Sequence, residues 1–225
     1  ALTHATPMWF AVGRAGLEIS RPEIYFGEQT TVFSLVGTST DEFDYPVGEM
    51  NQATRYAGRG GIAVGSLGRR LLFAWYLRSR ELLFTGYLTP QSRILMRRSL
   101  PERAPRVAPF LLYDSDPYLV LAEGRLYWIQ DAYTASSRFP YAAPHGRLNY
   151  VRNAVKVVVD AYEGTTRLYA VDPQEPLLRA YAGVFPSLFR PLADMPAGLR
   201  AHLRYPEDLF QIQAEVFAPY HMTDP

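Results

Sequence analysis

The chain contains no cysteine and only one lysine, Lys156, among its 225 residues. The first absence excludes disulfides, thiolate nucleophiles and cysteine-ligated metals. The second places any Schiff-base or phosphate-loop lysine chemistry on one side chain. No apolar run approaches the roughly 18 residues that cross a bilayer; the longest candidates are Leu71–Leu77 and Pro109–Tyr113. Ala1–Gly16 lacks the basic start and apolar block of a signal peptide. There is no Gly-Lys-Ser/Thr, no His-Glu-x-x-His and no Gly-x-Ser-x-Gly, so the usual nucleotide, zinc-protease and hydrolase signatures are missing. Nucleic acid is not expected as a partner, because the pI is about 8.2 and neither a reader motif nor an interleaved aromatic platform is present.

What is present describes a folded protein. Hydrophobic residues make up 48% and charged residues 20%, and 16 Tyr and 12 Phe favour packed aromatic surfaces over flexible tails. The length suits a single soluble body, with possible sub-parts 1–110 and 111–225. The net charge of +1 hides a strong asymmetry: residues 1–51 carry −5, residues 52–106 carry +9 and residues 107–225 carry −3. The basic segment either pairs with the acidic flanks or forms one face suited to anionic headgroups or another acidic partner. Burying a guanidinium without a partner costs several kcal/mol, so Arg69, Arg70, Arg97 and Arg98 are expected to be substantially exposed.

Periodicity predicts an α+β fold with an antiparallel sheet built from two hairpins, helices packed on it and a helical C-terminal part. Short strands are expected at Glu23–Gly27 and Thr31–Thr38, and turns at Asp41–Gly48. A helix is expected over Leu67–Arg78, with Ser66 as its N-cap. Pro90–Ser99 and Glu102–Phe110 read as helical or irregular. The two hairpins are Tyr118–Tyr133 and Ala154–Asp172, each turning at Glu-Gly, where glycine supplies a positive φ. Alternation puts Val155, Val157 and Val159 on one buried face, opposite Lys156, Val158 and Asp160. Helices are expected at Gln174–Val184, Asp194–Leu203 and Pro206–Phe217.

Three constellations could carry chemistry. Gly58-Arg59-Gly60-Gly61-Ile62-Ala63 spells a dinucleotide fingerprint, but no βαβ unit surrounds it; a turn, or an anion site built on free amides and Arg59, is the alternative. Asp114-Ser115-Asp116-Pro117 offers two carboxylates for a hard cation or for acid–base work, and equally reads as an Asp/Ser turn. His202, Glu207, Asp208, His221 and Asp224 crowd the C-terminus without metal-site spacing. The metal candidates are therefore Asp114, Asp116, His202 and His221, and the deciding question is whether they and Asp131 converge. No catalytic or cofactor-binding residue is assigned, and no cofactor is expected.

Long segments carry a resemblance: Glu42–Pro46, Gly58–Ala74, Arg93–Gly124, Leu126–Tyr141, Asn149–Asp172 and Met195–Asp224, with Ala201–Pro225 the most distinctive. They resemble uncharacterised protein family (UPF) 0182, large bacterial multi-pass membrane proteins with a long soluble region. The stop at Asp224-Pro225, straight after that dense segment, reads as the edge of an excised piece. The resemblance implies an extracytoplasmic soluble domain whose partners are its own transmembrane region, the membrane surface, and a protein partner or second copy. It brings no catalytic residue. An interaction, assembly or ligand-capture module is the leading expectation; a metal-dependent or hydrolase-like domain using Asp114, Asp116 and the histidines is the alternative.

Overall fold

The computed structural model describes the backbone of residues 19–47 and 50–221, and their side chains except at 43–47, 50–53 and 219–221. The chain divides into two compact units: residues up to Ser99 together with Ala161–Gly164, and Leu100–Asp160 together with Thr165 onward. The fold class is α+β.

In the first unit β1 (Ser34–Val36), β4 (Ile62–Ala63) and β5 (Arg93–Leu95) form a three-stranded antiparallel sheet with β5 in the middle. β2 (Glu42–Val47) and β3 (Met50–Thr54) form a separate antiparallel ribbon. Two helices, α1 (Leu67–Tyr76) and α2 (Glu81–Phe84), connect β4 to β5. Phe73, Ala74 and Leu82 pack on Val64 and Ile94, with Phe33, Leu35, Leu77, Leu88 and Met96 around them. Ser66 precedes α1 in extended conformation, but its hydroxyl makes no capping bond. Glu23–Gly27 is not a strand; it holds one bridge, Gly27 to Ser99. Residues 42–47, expected as turns, pair as a strand, and Arg93–Leu95 is a strand inside the stretch read as helical or irregular. All are short segments, in which cross-strand partners outweigh intrinsic propensity.

A second core in this unit is aromatic. Tyr25 meets Tyr56 edge-on at 4.8 Å and Tyr162 at 5.3 Å, while Tyr56 and Tyr162 stack at 5.0 Å. Each hydroxyl is engaged: Tyr25 donates to Glu42 Oε2 (2.5 Å), Tyr56 accepts from the Gly60 amide (3.0 Å), and Tyr162 accepts from the Ala57 amide (2.8 Å). Buried aromatic rings with satisfied polar tips are a stable arrangement. Gly164, at φ +71°, lies where a Cβ would meet the Phe26 ring at about 2.5 Å.

The second unit opens with α3 (Leu100–Val107) and is organised on one large sheet. Its strands are β6 (Leu112–Tyr113), β7 (Tyr118–Ala122), β8 (Arg125–Ser136), β9 (Tyr150–Asp160), β10 (Thr166–Ala170) and β11 (Phe189–Pro191), with α4 (Pro176–Val184) preceding β11. The order is β11-β10-β9-β8, and β8 carries β7 along its first half and β6 along its second. Both predicted hairpins are present and share this sheet through the antiparallel β8–β9 ladder; β11 joins β10 in parallel. At the first turn Glu123 (φ +52°) and Gly124 (φ +73°) are both left-handed, the geometry that matches strand twist.

Val155, Val157 and Val159 are buried as expected, but so are Lys156, Val158 and Asp160. Both faces are covered, so β9 reads as a nearly continuous apolar run. Val158 joins Val120, Ile129 and Tyr169 beneath Met195 and Leu199, the latter from α5 (Ala197–Arg200). The region expected as one helix from Asp194 to Leu203 is a 3-10 turn (Leu192–Asp194) followed by α5, because Pro196 interrupts the backbone bonding. α4 is capped by Glu175, which accepts from the Leu178 amide at 2.5 Å. The last helix is α6 (Glu207–His221).

Candidate functional site

The polar groups gather where the edge of β8 changes partner. β7 covers β8 as far as Ile129 and β6 resumes at Ala132, leaving Asp114–Pro117 to bridge the gap between the two short strands. Asp114 is 2% exposed. Its amide donates to the Asp131 carbonyl (3.0 Å), and its own carbonyl accepts from Gln130 Nε2 (2.9 Å). The gap is thus sealed by Asp114 acting as an irregular ladder partner.

The Asp114 carboxylate has three donors. Tyr133 donates its hydroxyl to Oδ2, the Asp116 amide donates to Oδ1 (3.0 Å), and the Asp208 amide donates to Oδ2 (3.1 Å). The Asp116 contact is the Asp-turn reading of the sequence. The Asp208 contact is different in kind: the amide belongs to the first turn of α6, so a strand-end carboxylate satisfies a helix donor that has no partner within its own helix. Asp208 returns the interaction, accepting from the Ser115 amide (2.8 Å) and hydroxyl (2.6 Å). Burial and the Asp114 carboxylate beside it push the Tyr133 phenol well above its ordinary value.

A second set of bonds fixes the segment leading into α6. Arg204 pairs with the Asp116 carboxylate, donates to its carbonyl (3.0 Å) and lies 4.0 Å over the Tyr118 ring. Lys156 donates to the Arg204 carbonyl (3.0 Å) and pairs with Asp131, which also accepts from Asn153 Nδ2 (2.7 Å). Burial pushes the Asp131 carboxyl up, opposed by Lys156 and Asn153. Gln130 Oε1 and the Thr134 hydroxyl are buried without a partner among the described residues.

Among the described residues the metal candidates do not gather into one group. Asp114 and Asp116 lie in this network, with Asp131 beside them. His202 is exposed, its Nδ1 2.7 Å from the Gly198 carbonyl, and His221 is the last residue of α6, with a side chain outside those described. Among the described residues no group of three or more His, Asp or Glu side chains could hold a metal ion. Sequence reasoning missed Tyr133, Lys156, Arg204 and the Asp208 contacts, whose separations of up to 94 residues leave no local signal.

The glycine loop is occupied by the protein itself. Arg93 donates to the carbonyls of Gly60 (2.6 Å), Arg59 (2.8 Å) and Gly61 (2.9 Å), and the Gly60 amide goes to Tyr56. A loop turning its carbonyls onto a guanidinium is not a phosphate cradle, and a strand follows it where the fingerprint needs a helix. Arg70 reaches the Val64 and Leu88 carbonyls, and Arg98 those of Tyr25 and Val32. These two are half-buried, whereas Arg69 and Arg97 are exposed as expected. Backbone carbonyls, a partner the sequence does not display, hold Arg70 and Arg98, and Arg69 reaches the Ala63 carbonyl (3.2 Å) while staying exposed.

A groove of about 540 Å³ in the second unit is lined by Val107, Pro109, Phe110, Val184, Phe185 and Leu188 among others, with no ionisable side chain. Phe110 stacks on Tyr181 (4.2 Å) and Phe185 (5.5 Å). The groove and the carboxylate network do not share a residue.

α6 itself presents apolar residues outward. Phe210 and Phe217 are 62% and 61% exposed, and Ala214 between them is exposed too. At spacing i, i+4, i+7 they fall on one helix face. No helix among the described residues is long and apolar enough to cross a membrane.

The model of uncharacterised protein family UPF0182 matches residues 5–225. A UPF0182 protein of Sulfurovum sp. (strain NBC37-1) is 49% identical over 216 residues, covering 93% of this chain and 24% of the relative. Those of Cupriavidus necator and Moorella thermoacetica are 51% and 52% identical over 209 and 213 residues, covering 92% and 93% of this chain and 23% of each relative. The chain thus spans about a quarter of the length of the curated relatives it matches. No solved structure matches it. With the family model covering nearly the whole length, the chain belongs to uncharacterised protein family UPF0182.

Proposed function

We propose that this chain is a non-enzymatic interaction module of a longer membrane protein, standing outside the cytoplasm and docking on another part of the same polypeptide through α6. The observation that carries the reading is the exposed stripe Phe210, Ala214, Phe217 on a helix whose first turn is fixed to the sheet by Asp114 and Ser115. Fixing a helix at one end while leaving an apolar face in solvent is favourable only when another surface covers that face. The relatives offer such a surface in principle, since about three quarters of their length lies beyond this region. The polar network supports the same reading, because its carboxylates are spent on internal donors rather than held open for a substrate.

The test is photo-crosslinking from position 217 in a full-length family protein carrying this region. The expected product is an internal crosslink to a peptide outside these 225 residues. Adducts confined to lipid or solvent would remove the docking role of α6. Sidedness is tested separately with a cysteine placed at exposed Ser187: labelling by a membrane-impermeant maleimide in intact cells is expected, and labelling only after lysis overturns it. Stoichiometric metal in the purified chain would instead favour the metal-dependent reading at Asp114 and Asp116.

A further inference from the structure

We propose that the α1–α2 hairpin of the first unit is a docking surface for an anionic lipid membrane. The inference concerns a different surface from α6 and stands without it.

α1 is apolar on the wrong side as well as the right one. Its inner face, Phe73 and Ala74 with Leu77 beyond its end, packs on Val64, Leu82 and Ile94. Its outer positions are also apolar: Leu67 is 75% exposed, Leu71 59%, Leu72 56%, Trp75 78% and Tyr76 54%. Phe84, closing α2, is 83% exposed. A surface helix of a water-soluble protein ordinarily shows polar residues there. Leu67, Leu71 and Trp75 recur every four residues and form one stripe. The Trp and Tyr at its C-terminal end have the apolar body and polar tip that suit the headgroup boundary.

The charge around this surface selects the partner. Between residues 62 and 87 the chain carries Arg69, Arg70, Arg78 and Arg80 against Glu81 alone. Arg69, Arg78 and Arg80 are exposed. Long arginine stems can lie along apolar surface while their heads reach phosphate oxygens. A second copy is a poor occupant, because two-fold pairing of this face would set its own arginines against each other.

The end of α1 holds independent support. The Arg78 amide donates to the Trp75 carbonyl (3.2 Å) and the Ser79 amide to the Ala74 carbonyl (3.0 Å), the two bonds of a Schellman cap. The residue at its left-handed position is Arg78, at φ +52°, where glycine is the favoured choice. An arginine thus stands three residues after Trp75, at a position where the local backbone preference is for glycine. Residues kept in such conformations cluster at functional positions.

The experiment is vesicle co-sedimentation of the 225-residue chain with phosphatidylcholine alone and with phosphatidylcholine containing phosphatidylglycerol. Binding to the anionic vesicles is expected to be at least about tenfold stronger and to weaken as salt rises. Trp75→Ser with Phe84→Ser should remove binding to both. Arg78→Gly is the discriminating variant: it should lower anionic binding about fivefold while leaving the fold as stable as before or more so. Equal binding to both vesicles, no binding by the folded chain, or anionic binding untouched by these variants overturns the proposal. So does Trp75-dependent self-association, or Trp75-dependent binding to an acidic protein, without vesicle binding.

Discussion

Lys156, the one lysine of the chain, and Asp131 are register partners across the β8–β9 ladder and form a buried ion pair there, 5% and 2% exposed. Taking two charges out of water is expensive, and the cost is offset only when further hydrogen bonds complete the site. Here Asn153 completes Asp131, and the Arg204 carbonyl takes a second ammonium proton.

Removing one partner should therefore be costly. Lys156→Met is expected to lose about 3–5 kcal/mol of stability at neutral pH, since it leaves a buried carboxylate uncompensated. Asp131→Leu combined with Lys156→Met should recover most of that loss. Chemical denaturation of the two single variants and the double variant gives the coupling directly. A simple sum of the single effects would show that the pair acts as two independent groups.

The same variant has a pH signature. Burial already raises the Asp131 pKa in the folded state against the pull of Lys156, and removing the ammonium raises it further. For a carboxyl with a raised folded-state pKa, stability is highest below the unfolded value and falls as pH rises through the folded one. The deficit of Lys156→Met relative to the parent should accordingly shrink on going from about pH 7 to about pH 4. A deficit independent of pH excludes an ionised Asp131 as its source.

Unit one should be alkali-sensitive through its tyrosine cluster. Burial pushes the Tyr56 phenol up to about 12 and raises Tyr25 further still, with Glu42 adding to the shift. The unfolded chain releases these protons near pH 10, so stability should decline from about pH 10 upward to about pH 12. Tyr56→Phe should flatten that decline while losing the Gly60 contact. Urea midpoints between pH 9 and pH 11 for both proteins check the sign.

The elements most readable in the sequence were those specified locally. The two Glu-Gly turns, the hairpin strands they join and the carboxylates opening α6 each rest on neighbours within a few residues. The β2–β3 ribbon and β5 were not readable, since short segments take their state from the strand they meet. Half of the candidate site was visible: Asp114 and Asp116 form the turn their sequence suggests. The other half, Tyr133, Asp208, Arg204 and Lys156, arrives from distant segments and has no periodic trace. The arginine segment shows the same limit, because Arg70, Arg93 and Arg98 are held by carbonyls that every residue possesses.

Gly164 tests the backbone argument. Its φ of +71° disfavours any side chain, and an added Cβ would sit about 2.5 Å from the Phe26 ring. Gly164→Ala should cost about 2–4 kcal/mol, combining left-handed strain with overpacking. A loss under about 0.5 kcal/mol would mean that the Ala161–Gly164 turn relaxes freely.

Asp114 is expected to matter more for α6 than for the sheet. Asp114→Ala strips an acceptor from the Tyr133 hydroxyl and from the Asp116 and Asp208 amides. A global loss of about 2–4 kcal/mol is expected, with α6 amides exchanging faster than those of β9. Hydrogen exchange resolved by peptide distinguishes this from uniform destabilisation, which would assign Asp114 to the sheet alone.

Thr134 gives a prediction of the opposite sign. It is fully buried on β8, and its hydroxyl has no partner among the described residues. A buried hydroxyl left unpaired costs about 1–3 kcal/mol, whereas valine has nearly the same shape and favours strands. Thr134→Val should therefore raise stability by up to about 1 kcal/mol and leave the Lys156–Asp131 coupling unchanged. A loss of more than about 1 kcal/mol would reveal a hydrogen-bond partner for the hydroxyl and make this part of the network polar by necessity.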